Sequence, residues 1–188
     1  CLEPLLALPH LSARHRAHAQ HLLGVTYRLA GRREEALDLQ RSALATPGHT
    51  SWKNQARGAL AIGLMYLRRT DEAIPLFEEV YQWDKKYGSA LKRIASAGNL
   101  GRTCLVNDRI EAGWTYLHEG WTRARDLPPN YVGQIIAFNF AGACLATGRL
   151  EVAAEVLDSA MIRAQRLGRA GIIAMTQSFR ASLHALRY

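Results

Sequence analysis

Apolar side chains along this chain recur at spacings of three and four, the mark of one face of a helix, and short polar turns interrupt them. The pattern predicts helices almost throughout, over Leu11–Ala30, Arg33–Thr46, Thr50–Arg68, Asp71–Tyr87, Ser89–Asn107, Arg109–Asp126, Asn130–Thr147, Leu150–Leu167 and Arg169–Arg187. The breaks carry turn or cap chemistry at Gly31, Pro47-Gly48, Thr70-Asp71-Glu72, Gly88-Ser89, Asn107-Asp108, Pro128-Pro129-Asn130, Thr147-Gly148 and Gly168. Pro75 falls in the first turns of its helix, where a missing N–H costs least. No segment alternates in the manner of a strand, so the expected fold class is all-α.

The helices repeat. Small residues at Gly24, Ala61, Gly101 and Ala141 step by 37, 40 and 40 residues, one helix pair per step. A large apolar residue precedes each: Leu23, Leu60, Leu100 and Phe140. Three positions after the anchors stand Tyr27, Leu64, Cys104 and Cys144. In the second helix of each pair, Ala36, Ala73, Gly113 and Ala153 share one position. Gln40, Phe77, Leu117 and Leu157 share the next, and Ala43, Val80, Gly120 and Ala160 the third. Small residues where two helices nearly touch and large ones where a gap must be filled are what packing at roughly 8–10 Å requires.

Leu23-Gly24-x-x-Tyr27, Ala36 and Pro47 resemble the tetratricopeptide repeat (TPR), with Gln40 in place of its aromatic and Pro47 one residue early. The resemblance covers about Ala17 to Gln165, copy three diverging most through Gly113 and Gly120. It implies a right-handed superhelical solenoid of antiparallel helix pairs, with repeats about 17–49, 50–88, 89–128 and 129–168 and a terminal helix 169–188, in a single domain over 1–188. The final helix shows no large-small pair from which its register could be read. Cys1 to Leu8 resembles the last turns of a helix whose partner is absent, so the sequence is expected to be an excerpt of a longer protein.

The resemblance also implies a concave wall made by the first helices. Its positions are His18, His21, Val25 and Arg28, then Gln55, Gly58, Ile62 and Met65. They continue with Ala95, Gly98, Arg102 and Leu105, then Ile135, Phe138, Gly142 and Leu145. Asn99 and Asn139, two residues before their anchors, match a groove asparagine that some family members use to hold peptide backbone. The family's carboxylate clamp is absent, because His21, Val25, Gly98 and Arg102 occupy its positions. An apolar patch around Ile62, Met65, Leu105, Phe138 and Leu145 would suit an amphipathic helix or an extended apolar peptide.

Composition narrows the chemistry. Apolar residues make up 48% of 188, enough for a continuous core, and no uninterrupted apolar stretch of about 18 residues predicts a membrane span. The cysteines are Cys1, Cys104 and Cys144. The last two share a repeat position one whole repeat apart, too far for a disulfide, so reduced buried thiols in a cytoplasmic protein are expected. Phosphate loops, nucleophile elbows and metal-binding cysteine pairs are absent, and the chain is expected to be non-enzymatic and without cofactors. His15, His18 and His21 lie three apart, but with no nearby carboxylate or thiol, and with Arg14 and Arg16 adding charge, they predict a solvated histidine face and no metal site.

The formal net charge is +8. Lysine stands only at 53, 85, 86 and 92, so 20 of the 24 basic residues are arginine, spread over every repeat and on outer faces such as Arg163, Arg166 and Arg169. A dispersed basic surface gives weak polyanion affinity without sequence reading, so no direct specific nucleic-acid binding is expected. Trp52, Trp83, Trp114 and Trp121 are expected in packing, not in base stacking.

Repeats near 40 residues resemble the arrays of bacterial antibiotic-regulatory-type and maltose-activator-type transcription factors and of peptide-sensing regulators. That resemblance implies a protein- or peptide-binding module, the interaction or signal-sensing part of a bacterial regulator. A stand-alone assembly scaffold and a small-molecule sensor with a pocket around Phe138, Met65 and Arg102 are the alternatives.

Overall fold

A computed structural model describes residues 3–6, 8, 10–46 and 51–187, so Pro47-Gly48, Cys1 and Tyr188 lie outside the described residues. Among these, all regular structure is helical. The helices are α1 (Glu3–Leu6), α2 (Ala13–Leu29), α3 (Arg33–Ala45), α4 (Ser51–Tyr66), α5 (Thr70–Tyr87), α6 (Ala90–Val106), α7 (Ile110–Arg125), α8 (Tyr131–Ala146), α9 (Leu150–Leu167) and α10 (Ala170–Arg187). The chain divides into two compact units, Cys1–Trp83 and Asp84–Tyr188, with the boundary inside α5. No helix among the described residues is long and apolar enough to cross a membrane.

First and second helices begin differently in the first, third and fourth pairs. Helices α2, α6 and α8 start with side-chain caps, in which Ser12, Ser89 and Asn130 accept from the backbone N–H of His15, Lys92 and Gly133. Helices α3, α7 and α9 have no side-chain cap and follow a tight turn that every pair repeats. Its left-handed residue is Gly31 (φ 84°), Arg68 (φ 63°), Asp108 (φ 57°) or Gly148 (φ 69°). The next residue is an arginine in each copy, Arg32, Arg69, Arg109 and Arg149. Their N–H groups donate back to the carbonyls of Tyr27, Leu64, Cys104 and Cys144 at 2.9, 3.0, 2.9 and 2.8 Å, closing the preceding helix in the Schellman manner.

Two of these arginines also reach the preceding repeat. Arg69 lies 3.9 Å from Glu34, and Arg149 lies 3.3 Å from Glu111 with its guanidinium 4.7 Å from the Trp114 ring centre.

The anchors sit where helices touch. In the first unit a Cβ on Gly24 would stand 2.5 Å from the Gln40 amide nitrogen, so the glycine opens the space that this glutamine fills. In the second, Gly101 and Gly113 face each other across α6 and α7, and a Cβ on either would come within 2.9 Å of the other's carbonyl oxygen. The divergence of copy three is therefore a closer helix crossing, flanked by Leu105 and Leu117. The core of this unit includes Ile94, Leu117, Ile136, Phe140, Leu157 and the small residues between them.

The register of the last helix, illegible in the sequence, follows from packing. Phe140 of α8 packs on His118 of α7, with ring centres 5.6 Å apart. Forty residues later Arg180 of α10 pairs with Asp158 of α9 at 3.4 Å. Ala181 thus holds the fifth anchor position, exposed where the four anchors are buried, and its register is hidden because an ion pair stands where earlier copies use a large apolar residue.

Candidate functional site

Helices α6 and α8, the first helices of the third and fourth pairs, lie side by side in the second unit and leave a cavity of about 100 Å³ between them. Ala95, Gly98 and Asn99 line it from α6; Val132, Ile135, Ile136 and Asn139 line it from α8. The walls are apolar and the two asparagines stand at its edge. Both are half-buried, and among the described residues neither carboxamide is held by another protein group. An amide offers a donor and an acceptor together, the complement of a peptide unit.

Gly98 and Ile136 meet along the wall of the cleft, where the glycine lets α6 and α8 approach closely. A Cβ there would meet the Ile136 Cδ1 at 2.9 Å. One repeat later, between α8 and α10, the corresponding space is closed. Phe138 stands where Gly98 stood and Phe179 where Asn139 stood, and their rings stack 5.6 Å apart at an interplanar angle of 4°. With Ala164 and Ile172 they form a separate apolar cluster.

This corrects the expectation for Phe138. It is 6% exposed, a plug between α8 and α10 and no part of an open wall, because Phe179 covers it. A small-molecule pocket centred on Phe138 loses its basis for the same reason. Among the other expected wall residues of this unit, Asn99, Ile135 and Asn139 come together at the cleft. Arg102 is exposed, and Leu105 and Leu145 are half-buried, packed against the core. Sequence reasoning missed Val132 and Ile136, which face the neighbouring repeat. Gly98 against Phe138 at one repeat position was a readable signal of where the wall opens.

In the first unit His18 and Gln55 are exposed, Arg28 and Ile62 half-buried, and Met65 is buried at 8% exposure, a core residue where an open wall position was expected. His21 is also corrected. It is 5% exposed, its Nδ1 lies 2.9 Å from the Gln40 Oε1, and the Gln40 Nε2 donates to the His21 carbonyl at 2.9 Å. The glutamine that replaces the expected aromatic pairs with a histidine that the solvated-face reading placed outside. Burial lowers the His21 pKa, the Gln40 bond opposes that shift, and His18 adds to it.

Arg163 is a further correction, since it is not on an outer face. It is 7% exposed, and its guanidinium donates to the carbonyls of Arg125 at 3.2 Å, Ala124 at 3.0 Å, Leu127 at 3.1 Å and Pro128 at 3.5 Å. It closes the C-terminal end of α7 and the proline turn after it. Cys104 and Cys144 are buried free thiols, and burial pushes the Cys144 pKa up, against the smaller effects of Trp114 and Arg149.

No protein-family model and no curated protein sequence matches this chain. Solved structures do. The TPR-like repeats of a Podosopora anserina protein described as a kinesin light chain share 18% identity at a TM-score of 0.72, covering 96% of this chain and 97% of that one. A variant of the same protein gives 20% identity and a TM-score of 0.72, covering 95% and 96%. The Rap conjugation gene regulator of plasmid pLS20, in complex with the Phr* peptide, gives 18% identity and a TM-score of 0.71 over 94% of this chain and 49% of the regulator. The fold is that of TPR-like helical repeats.

Proposed function

We propose that this chain is a peptide-binding repeat module serving as the interaction or signal-sensing part of a bacterial transcriptional regulator, and that an extended peptide binds along the α6–α8 cleft. The observation that carries the reading is the pair Asn99 and Asn139 beside an apolar cavity, with no protein group among the described residues holding either carboxamide. The asparagines hold backbone amides of the ligand, and one aliphatic side chain enters the cavity beside Ala95, Val132 and Ile135. A cavity of about 100 Å³ suits a single side chain and falls well below the roughly 300–1,000 Å³ of small-molecule sites, which favours a peptide over a metabolite. The likeness to a regulator solved with a peptide supports the regulatory context.

Selection of displayed peptides against the immobilised chain tests this. Selected sequences should share an aliphatic anchor, and each of Asn99→Ala and Asn139→Ala should weaken them about 5- to 10-fold, the worth of one hydrogen bond. Peptides that bind both variants as tightly as the parent would refute the cleft. A labelled duplex binding more tightly than any peptide would refute the function.

A further inference from the structure

A second cavity, of about 200 Å³, lies between α9 and α10 and shares no lining residue with the α6–α8 cleft. Its walls are Ala154, Leu157 and Asp158 on α9, facing Arg180, Leu183 and Arg187 on α10, with His184 beside them. The preceding repeat shows what this space holds when it is filled. Forty residues earlier, Ala154 corresponds to Trp114, Asp158 to His118 and Arg180 to Phe140. There the three rings pack together, Trp114 on His118 with centres 4.8 Å apart and Trp114 on Phe140 at 5.8 Å. Between α9 and α10 none of these three aromatics is present. Leu183 and His184 stand for Ala143 and Cys144 and return some volume, yet the cavity remains.

We propose that this cavity is a binding site for an indole ring, brought by a free indole compound or by a tryptophan side chain of a peptide. The space is vacated by an indole in a repeat of the same construction, and its floor, Leu157, is the counterpart of the buried Leu117 under Trp114. The remaining walls suit the same ring. Guanidinium groups stack on aromatic faces, as Arg149 already does on Trp114, and Arg180 and Arg187 border the cavity. Each pairs with a carboxylate at the surface, Arg180 with Asp158 at 3.4 Å and Arg187 with Glu151 at 2.8 Å. The Asp158 carboxylate is an acceptor for the indole N–H.

The test titrates the isotope-labelled chain with indole and, separately, with N-acetyltryptophanamide, reading amide NMR shifts; N-acetylleucinamide is the control. The expected result is saturable shifts confined to α9 and α10 with at least one indole probe and none with the leucine compound. Shifts with indole alone identify a small-molecule site; shifts with the tryptophan amide identify a side-chain site. Ala154→Trp should fill the cavity and weaken binding at least tenfold, with helicity and melting temperature retained or raised. Arg180→Gln, which removes the stacking cation without filling space, should weaken binding several-fold. The proposal is overturned if neither probe shifts these amides at millimolar concentration, if leucine shifts them equally, or if both folded variants bind as the parent does.

Discussion

Replacing Arg163 by methionine keeps the apolar stem and removes the guanidinium that closes α7. Four carbonyl oxygens at 3.0–3.5 Å then lose a charged donor. Hydrogen bonds to charged groups contribute about 1.5–3 kcal/mol each, but this sum overstates the loss. Arg125 and Pro128 are exposed, so water replaces part of what their carbonyls lose, and the contact to Pro128 is long. Desolvation also lowers the Arg163 pKa, with Arg166 adding to it, so the native charge already works against its surroundings. A net loss of about 2–3 kcal/mol remains, or about 5–10 °C in melting temperature for a chain of this size. Lysine, a single point charge without the planar fork, should recover less than half. Urea unfolding followed by circular dichroism gives the magnitude, and amide exchange locates it at the end of α7 and the following turn. If Arg163→Met changed stability by less than about 0.5 kcal/mol, or if lysine matched arginine, the capping account would be wrong.

Three further outcomes follow from the packing. Because the His21 pKa is lowered in the fold, the unfolded chain takes up the proton first as pH falls through the ordinary imidazole value of 6.5; stability of the first unit should be full above that value and decline below it. Urea midpoints at about pH 7.5 and 5.5 read this, and a His21→Phe variant that kept the same slope would contradict the assignment. Gly101→Ala drives a methyl to 2.7 Å from Leu117 and 2.9 Å from the Gly113 carbonyl, so it should cost about 1–3 kcal/mol by thermal unfolding; a neutral effect would refute the close crossing. Arg68→Gly puts glycine at the φ 63° turn position where copies one and four already have it, and should stabilise by about 1 kcal/mol; a lowered melting point would show that the arginine side chain matters more than its backbone.

Helix spans were legible because apolar spacing and cap chemistry are local, and predicted ends differ from observed ones by a residue or two, as for Arg33–Ala45 and Tyr131–Ala146. The candidate site was half legible. Asn99, Ile135 and Asn139 were expected on the wall and meet at one cleft, whereas Phe138, also expected there, is buried. A position on a helix wheel states which neighbour a side chain faces and leaves open whether that neighbour covers it. Phe138 is covered by Phe179, whose register was hidden by the Arg180–Asp158 pair.

Periodicity by itself determined that this chain is a stack of helix pairs, because the step of 37 to 40 residues and the small anchors encode helix length and helix contact. Tertiary structure alone decided where polar groups are satisfied and where space is left. His21 bonds to Gln40, 19 residues away, and Arg163 reaches carbonyls 35 to 39 residues away. The two cavities exist only as differences between successive repeats, Gly98 against Phe138 and Ala154 against Trp114. The physical reason is that burial and void volume depend on every neighbour at once, while a repeat pattern records only the positions those neighbours hold in common.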